Sequence, residues 1–367
     1  MIPFIDLQAQ YQAYKTDIDE RISNVLKRND FIMGKDVKEL EEWMSNYTNT
    51  HAVAVSSGTA ALMIPLYTMN LEEGDEIITT PFTFFATAEV ISFLKLKPVF
   101  IDIDPDTCNM DISKIEQAIT PRTKGIISVS LFGQTSDLDK INEIAKKHNI
   151  FHMEDAAQSF GTIYNGKKSG GVAEISTTSF FPAKPLGTFG DGGMMFFKDA
   201  DFAAKCSSIL NQGQVERYQH QYVGVNARFD TIKAAVLMAK LPYYDQELQR
   251  REEIALEYSQ HFISSKAIPL KREKFTDRHV WAQYTLKIEQ RDKVKSLLQE
   301  RGVPTAIHYP KPLHLQSALA YLGLKKGSFP VAEDMSEKVL SLPMHPFMSN
   351  DTQNSIIGHV IDVLELV

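Results

Sequence analysis

From residue 52 to residue 153 the chain keeps one rhythm, and that rhythm leaves few folds open. Short apolar runs recur: Ala52-Val53-Ala54-Val55, Glu76-Ile77-Ile78-Thr79, Pro98-Val99-Phe100-Ile101, Gly125-Ile126-Ile127-Ser128-Val129 and Ile150-Phe151-His152-Met153. They read as strands buried on both faces. Between them lie helical patterns, such as Leu138, Ile141, Ile144 and Ala145, with Ser136 or Asp137 placed to cap the helix. Strands alternating with helices predict an α/β fold, with a mostly parallel sheet, helices on both faces and right-handed crossovers.

The flanks extend this frame. A helix is expected from Ala9 to Lys27, and helical spacing resumes from Val37 through Glu41, Trp43 and Met44. Further strands are expected at Thr177–Phe181 and Gly193–Phe197, separated by a Gly-rich loop. A long helical region then covers 231–261, followed by a strand-like stretch at 279–288, a helix over 291–301 and an irregular Pro/His-rich stretch at 303–316. A division near residue 245 is expected, with a large α/β domain over 1–245 and a smaller α+β domain over 246–367.

Composition removes several function classes. With 39 basic and 46 acidic residues the net charge is −7, and no long basic run stands out, so nucleic acid is not an expected partner. Two cysteines, Cys108 and Cys206, cannot build a disulfide framework. The ten histidines show no metal-ligand spacing, and no metal is expected. The N-terminal residues lack the basic and long apolar regions of a signal peptide, and no apolar run reaches membrane-spanning length. A reducing, cytoplasmic setting is expected, without membrane insertion.

Three segments carry candidate chemistry. Val55-Ser56-Ser57-Gly58-Thr59-Ala60 reads as strand, tight turn, then helix. The open N–H groups of a first helical turn suit a phosphate, and Gly58 permits close approach. Glu154-Asp155 ends a buried strand, where ligand sites of parallel sheets lie, and only one of two successive residues can face a given pocket. Asp155 lies 29 residues before Lys184, which sits in the apolar, Pro- and Gly-rich run Phe180-Phe181-Pro182-Ala183-Lys184-Pro185-Leu186-Gly187. Such surroundings desolvate an amine and lower its pKa, as Schiff-base chemistry requires. Each segment alone has a plain alternative: an unliganded helix cap, a capping carboxylate, an exposed lysine. Their order and spacing together resemble fold-type I enzymes dependent on pyridoxal 5'-phosphate (PLP).

The wording is similar to one family, the DegT/DnrJ/StrS-type nucleotide-sugar aminotransferases. The resemblance rests on Ser57-Gly58-Thr59-Ala60-Ala61-Leu62, Pro81-Phe82-Thr83-Phe84-Phe85-Ala86, Glu154-Asp155-Ala156-Ala157-Gln158, Ser179–Lys184, Gly190-Asp191-Gly192-Gly193, Gly224-Val225-Asn226-Ala227-Arg228, His308-Tyr309-Pro310 and Leu342-Pro343-Met344-His345-Pro346. It implies the fold-type I architecture and the cofactor PLP, joined to Lys184 as a Schiff base. It implies that Asp155 pairs with the pyridine nitrogen, that Gln158 lies near the phenolic oxygen and that Phe84 stacks on the ring. Gly58, Thr59 and Ser179 would bind the phosphate, which Asn226 of a neighbouring subunit would also reach, implying a homodimer with shared active sites. Arg228, His308 and Tyr309 would meet the substrate. L-Glutamate is the implied amino donor. Among subgroups the chain looks most like those that aminate C3 of UDP-2-acetamido-2-deoxy-3-oxo-glucuronate for surface polysaccharides such as lipopolysaccharide and O-antigen. The alternatives are 4-amination of a UDP- or dTDP-4-keto-6-deoxy sugar and a non-catalytic regulatory or binding homologue. Some relatives are dehydratases with His in place of the Schiff-base lysine, and lysine at 184 argues against that reading.

Overall fold

The computed structural model describes residues 2–367. Seven strands form the central sheet in the spatial order His51–Val55, Gly193–Phe197, Ile175–Ser179, Phe151–Asp155, Thr123–Val129, Glu76–Thr79, Lys97–Phe100. Only Gly193–Phe197 runs antiparallel to both its neighbours, so the other six strands point the same way. Their carboxyl ends, and the loops that leave them, share one edge of the sheet. The helices on its faces are fixed by local chemistry. Gly58–Thr68 follows the Ser57 cap, and Leu138–His148 starts at Asp137, whose Oδ1 accepts the Lys140 N–H.

A smaller antiparallel sheet, in the order Ala267–Pro269, Tyr284–Ile288, Val339–Leu342, packs with the Asn350–Glu365 helix around its own apolar core of Tyr284, Leu286, Leu340, Ile356 and Val360. The expected helical region 231–261 is two helices, Thr231–Lys240 and Tyr244–Phe262, joined by a 3-10 turn over Leu241–Tyr243. Pro242 lacks an N–H and cannot continue the α-helical ladder. Of the expected strand at 279–288 only Tyr284–Ile288 forms one; a separate short strand, Thr276–Arg278, lies just before the expected start. Among the described residues no helix is long and apolar enough to cross a membrane. Both cysteines are buried and free.

Glu41, half-buried in the Lys35–Thr48 helix, accepts the Ala54 N–H at 2.9 Å and has no cation in contact among the described residues. Burial pushes its carboxyl up to about 7. A folded-state pKa above the ordinary value of about 4.5 means that the folded chain holds the proton more tightly. The stability that Glu41 contributes is therefore greatest at low pH and is lost as pH rises through about 7. Glu41→Gln should match the wild type at pH 5 and exceed it at pH 8 by up to about 3 kcal/mol. Denaturant unfolding of both proteins at the two pH values checks this, and a pH-independent difference would refute it.

Candidate active site

Loops from the carboxyl ends of the parallel strands enclose a cavity of about 520 Å³, within the range of small-molecule sites. Gly58, Thr59, Phe84, Asp155, Gln158, Ser179, Lys184, His308 and Tyr309 all line it. These residues span most of the chain, so their meeting is a product of the fold and not of sequence proximity.

At one end lies the N-terminus of the Gly58–Thr68 helix. The Ser57 hydroxyl accepts the Ala60 N–H at 3.1 Å, which leaves the amides of Gly58 and Thr59 open toward the cavity as the first-turn donors of a helix. A Cβ on Gly58 would sit 2.7 Å from the Ser179 Cβ, so only glycine lets this turn close against the Ser179 strand end. Ser179 Oγ accepts the Phe181 N–H at 3.2 Å and keeps its own hydroxyl proton free. The result is a cradle of N–H and O–H donors with a favourable helix dipole, suited to a phosphate.

Asp155 and Glu154 divide as strand geometry requires. Asp155 lines the cavity, with Oδ2 accepting the Thr87 hydroxyl at 3.1 Å and Oδ1 accepting the Ala157 N–H at 3.2 Å. Glu154 lies away from the cavity and accepts hydrogen bonds from Ser130 at 2.7 Å, Ser169 at 2.7 Å and the Gly170 N–H at 3.0 Å. The Asp155 carboxyl is raised above its ordinary range, chiefly by burial, while the charge of Lys184 acts in the opposite sense. An additional cation in the cavity would restore its ionised form.

Lys184 is half-buried, and its open side faces the cavity. Its amine is held below the usual lysine range by desolvation, partly offset by Asp155. The backbone around it is tightly folded: Lys184 N–H donates to Phe181 O at 2.9 Å, and Thr188 N–H to Phe180 O at 2.8 Å. The lysine thus projects from a short closed loop.

The remaining wall is aromatic and amide. Phe84 is 59% exposed, an apolar ring face turned to open space and 6.4 Å from the Tyr309 ring. The Phe132 N–H fixes Gln158 Oε1 at 2.8 Å, and Gln158 Nε2 donates to the Tyr309 hydroxyl at 3.1 Å. His308 Nδ1 lies 3.3 Å from Ser341 Oγ. Burial, and secondarily Lys184, push His308 down to about 4, so it is neutral at physiological pH.

Asn226 and Arg228 do not line the cavity. Asn226 is exposed, and its Oδ1 accepts from Arg228 Nε at 3.0 Å. Sequence reasoning did not single out Thr87, Phe4 or Gln283. Thr87 bonds the Asp155 carboxylate, Phe4 brings the N-terminal segment to the cavity, and Gln283 lines it with a buried Oε1 that has no partner among the described residues. A threonine in the first turn of the Ala86–Phe93 helix and a glutamine before a strand carry no local signal of a site.

Comparison with known proteins gives the family. The model of the DegT/DnrJ/EryC1/StrS aminotransferase family matches residues 12–361. The UDP-2-acetamido-2-deoxy-3-oxo-D-glucuronate aminotransferase of Pseudomonas aeruginosa is 44% identical over 351 residues, covering 95% of this chain and 96% of that protein. The crystal structure of a DegT/DnrJ/EryC1/StrS aminotransferase from Brucella abortus superposes with a TM-score of 0.95 at 38% identity, covering 99% of each chain. NtdA from Bacillus subtilis, crystallised with bound cofactor PMP, superposes with a TM-score of 0.92 at 28% identity, covering 99% of this chain and 85% of that one. The chain belongs to the DegT/DnrJ/EryC1/StrS aminotransferase family.

Proposed function

We propose that this chain is a PLP-dependent aminotransferase that moves the amino group of L-glutamate to C3 of UDP-2-acetamido-2-deoxy-3-oxo-glucuronate. The cofactor reading is carried by one observation: a phosphate cradle, a buried carboxylate lacking a full counter-charge and a desolvated lysine share one cavity. When bound, PLP supplies a carbonyl that amines attack and a protonated pyridine ring that draws electrons from the reacting carbon.

The chain's own residues divide the remaining work. The Gly58 and Thr59 amides and the Ser179 hydroxyl hold the phosphate. Asp155 keeps the proton on the ring nitrogen, and Thr87 and the Ala157 N–H hold Asp155 in place. Phe84 covers a ring face and excludes water from it. Gln158, fixed by Phe132, offers its Nε2 toward the phenolic oxygen. Lys184, whose amine desolvation holds below the usual lysine range, would take up the cofactor as a nucleophile and then carry the proton to and from the substrate carbon.

The sugar assignment rests on the Pseudomonas aeruginosa relative, which matches almost the whole length. Gln283, His308 and Tyr309 would face the sugar. A neutral His308 offers hydrogen bonds but no charge, so the uronate carboxylate would fall to a guanidinium, for which Arg228 is the candidate. Because Asn226 and Arg228 lie on the surface outside the cavity of their own chain, we place them in the site of a second subunit, within a homodimer. We also divide the chain into domains at 1–245 and 246–367, and place the reaction in the cytoplasm, in keeping with two free thiols.

Product analysis tests this reading. The protein, with PLP and L-glutamate, is incubated with the UDP-linked 3-keto uronate or with a dTDP-linked 4-keto-6-deoxy sugar. Mass spectrometry should find 2-oxoglutarate and the 3-amino sugar from the first. Amination of the 4-keto sugar alone would overturn the substrate assignment.

A further inference from the structure

Behind the loop that carries Lys184 lies a fully buried lysine. Lys240, the last residue of the Thr231–Lys240 helix, is 3% exposed. Its Nζ donates to the Gly187 carbonyl at 2.6 Å and to Gln10 Oε1 at 2.8 Å, and it lies 5.0 Å from the centre of the Phe189 ring. Gln10 in turn donates Nε2 to both oxygens of Glu247, at 2.9 and 3.2 Å, and Glu247 is itself 5% exposed. An ammonium, an amide and a carboxylate thus form one chain through the interior, linking the Leu7–Arg28 helix, the Tyr244–Phe262 helix and the loop.

The point of attachment on the loop matters. Gly187 closes the turn that projects Lys184, and a Cβ there would lie 2.4 Å from Pro182 O, so the two limbs of the loop touch. Its neighbour Thr188 donates its hydroxyl to Lys233 O at 2.8 Å, on the same helix as Lys240. The helix therefore grips the closed end of the loop at two successive residues, once by its backbone and once by the Lys240 ammonium. Lys240 does not line the cavity.

We propose that Lys240 is a positioning residue: its ammonium, through the Gly187 carbonyl, fixes the loop that presents Lys184 to the cofactor. Burying a charged amine is costly unless every N–H finds a partner, and the partners here are the loop carbonyl, Gln10 and an aromatic face. Burial also pushes the Lys240 amine down to about 8, with Glu247 acting against the fall. The pair therefore keeps it charged near neutral pH, where a neutral amine would leave the tether weaker. The inference rests on the assignment of PLP to Lys184.

The test uses the full chain loaded with PLP. Lys240→Met removes the tether but leaves Glu247 without its lysine, so loss of stability alone would accompany it. The double variant Lys240→Met/Glu247→Gln removes both charges together, leaving the buried Arg251 as the nearby charged group. In the double variant we expect an unfolding midpoint within a few degrees of the wild type. PLP affinity should be weakened about tenfold or more, and the pH midpoint of the visible absorption band of the bound cofactor displaced. Wild-type affinity, band and turnover in the double variant would overturn the proposal. Lys184→Ala, run in parallel, separates the two claims: if it keeps the wild-type band, the PLP assignment itself fails, whereas loss of the band there beside an unaltered double variant refutes only the role of Lys240.

Discussion

Lys184→Ala should lower turnover by roughly 10⁴-fold or more and abolish the visible absorption band of bound PLP, while the protein stays folded. The size of the loss follows from two duties that fall on one atom. On the proposed reading, Nζ is both the nucleophile that takes up the cofactor and the base that moves the substrate proton. Stability should survive because the loop does not depend on this side chain. Its closing bonds run through the backbone, from Lys184 N–H to Phe181 O and from Thr188 N–H to Phe180 O. Removing a desolvated amine also removes a group that burial disfavours in its charged form. Steady-state rates, an absorption spectrum and a thermal melt check the three parts together. Turnover within tenfold of the wild type would contradict the assignment.

Asp155→Asn should reduce kcat by about 10²–10³-fold with a smaller effect on PLP affinity. The amide has nearly the same shape as the carboxylate, and the phosphate cradle at Gly58 and Ser179 is untouched. What disappears is the negative charge that, on the proposed reading, keeps the ring nitrogen protonated. Glu154→Gln is the matching control, one residue away and turned from the cavity. Glu154 accepts from Ser130, Ser169 and the Gly170 N–H, and an amide nitrogen would face at least one of these donors. That change should lower the melting temperature and leave kcat per folded molecule near the wild type. If the two variants exchanged phenotypes, the assignment of Asp155 to the cofactor would fail.

The sheet and the centre of the site were legible in the sequence because both depend on local patterns. The expected strand segments marked all seven central strands to within about two residues of their starts. The Phe151–Asp155 strand begins one residue after its run does but continues through the charged Glu154 and Asp155. A hydrophobic criterion cannot extend through them, and they are tolerated only because hydrogen-bond donors surround each carboxylate. Pro242 was visible, yet the helical spacing on both sides concealed the break it imposes. Gly58, Asp155 and Lys184 each sit in a motif whose chemistry is stated by its neighbours. Thr87, Phe4 and Gln283 do not, since their roles arise from contacts across the fold. Arg228 and Asn226 pair with each other at the surface, so a single chain gives them no place in the cavity.

The central claim concerns one covalent partner, and one measurement addresses it directly. The PLP-loaded protein is reduced with borohydride, digested, and its peptides are analysed by mass spectrometry. The added phosphopyridoxyl mass should appear on Lys184 and nowhere else. Its absence from every peptide, or its presence on Lys240, the other desolvated lysine bonded to the same loop, would contradict the account.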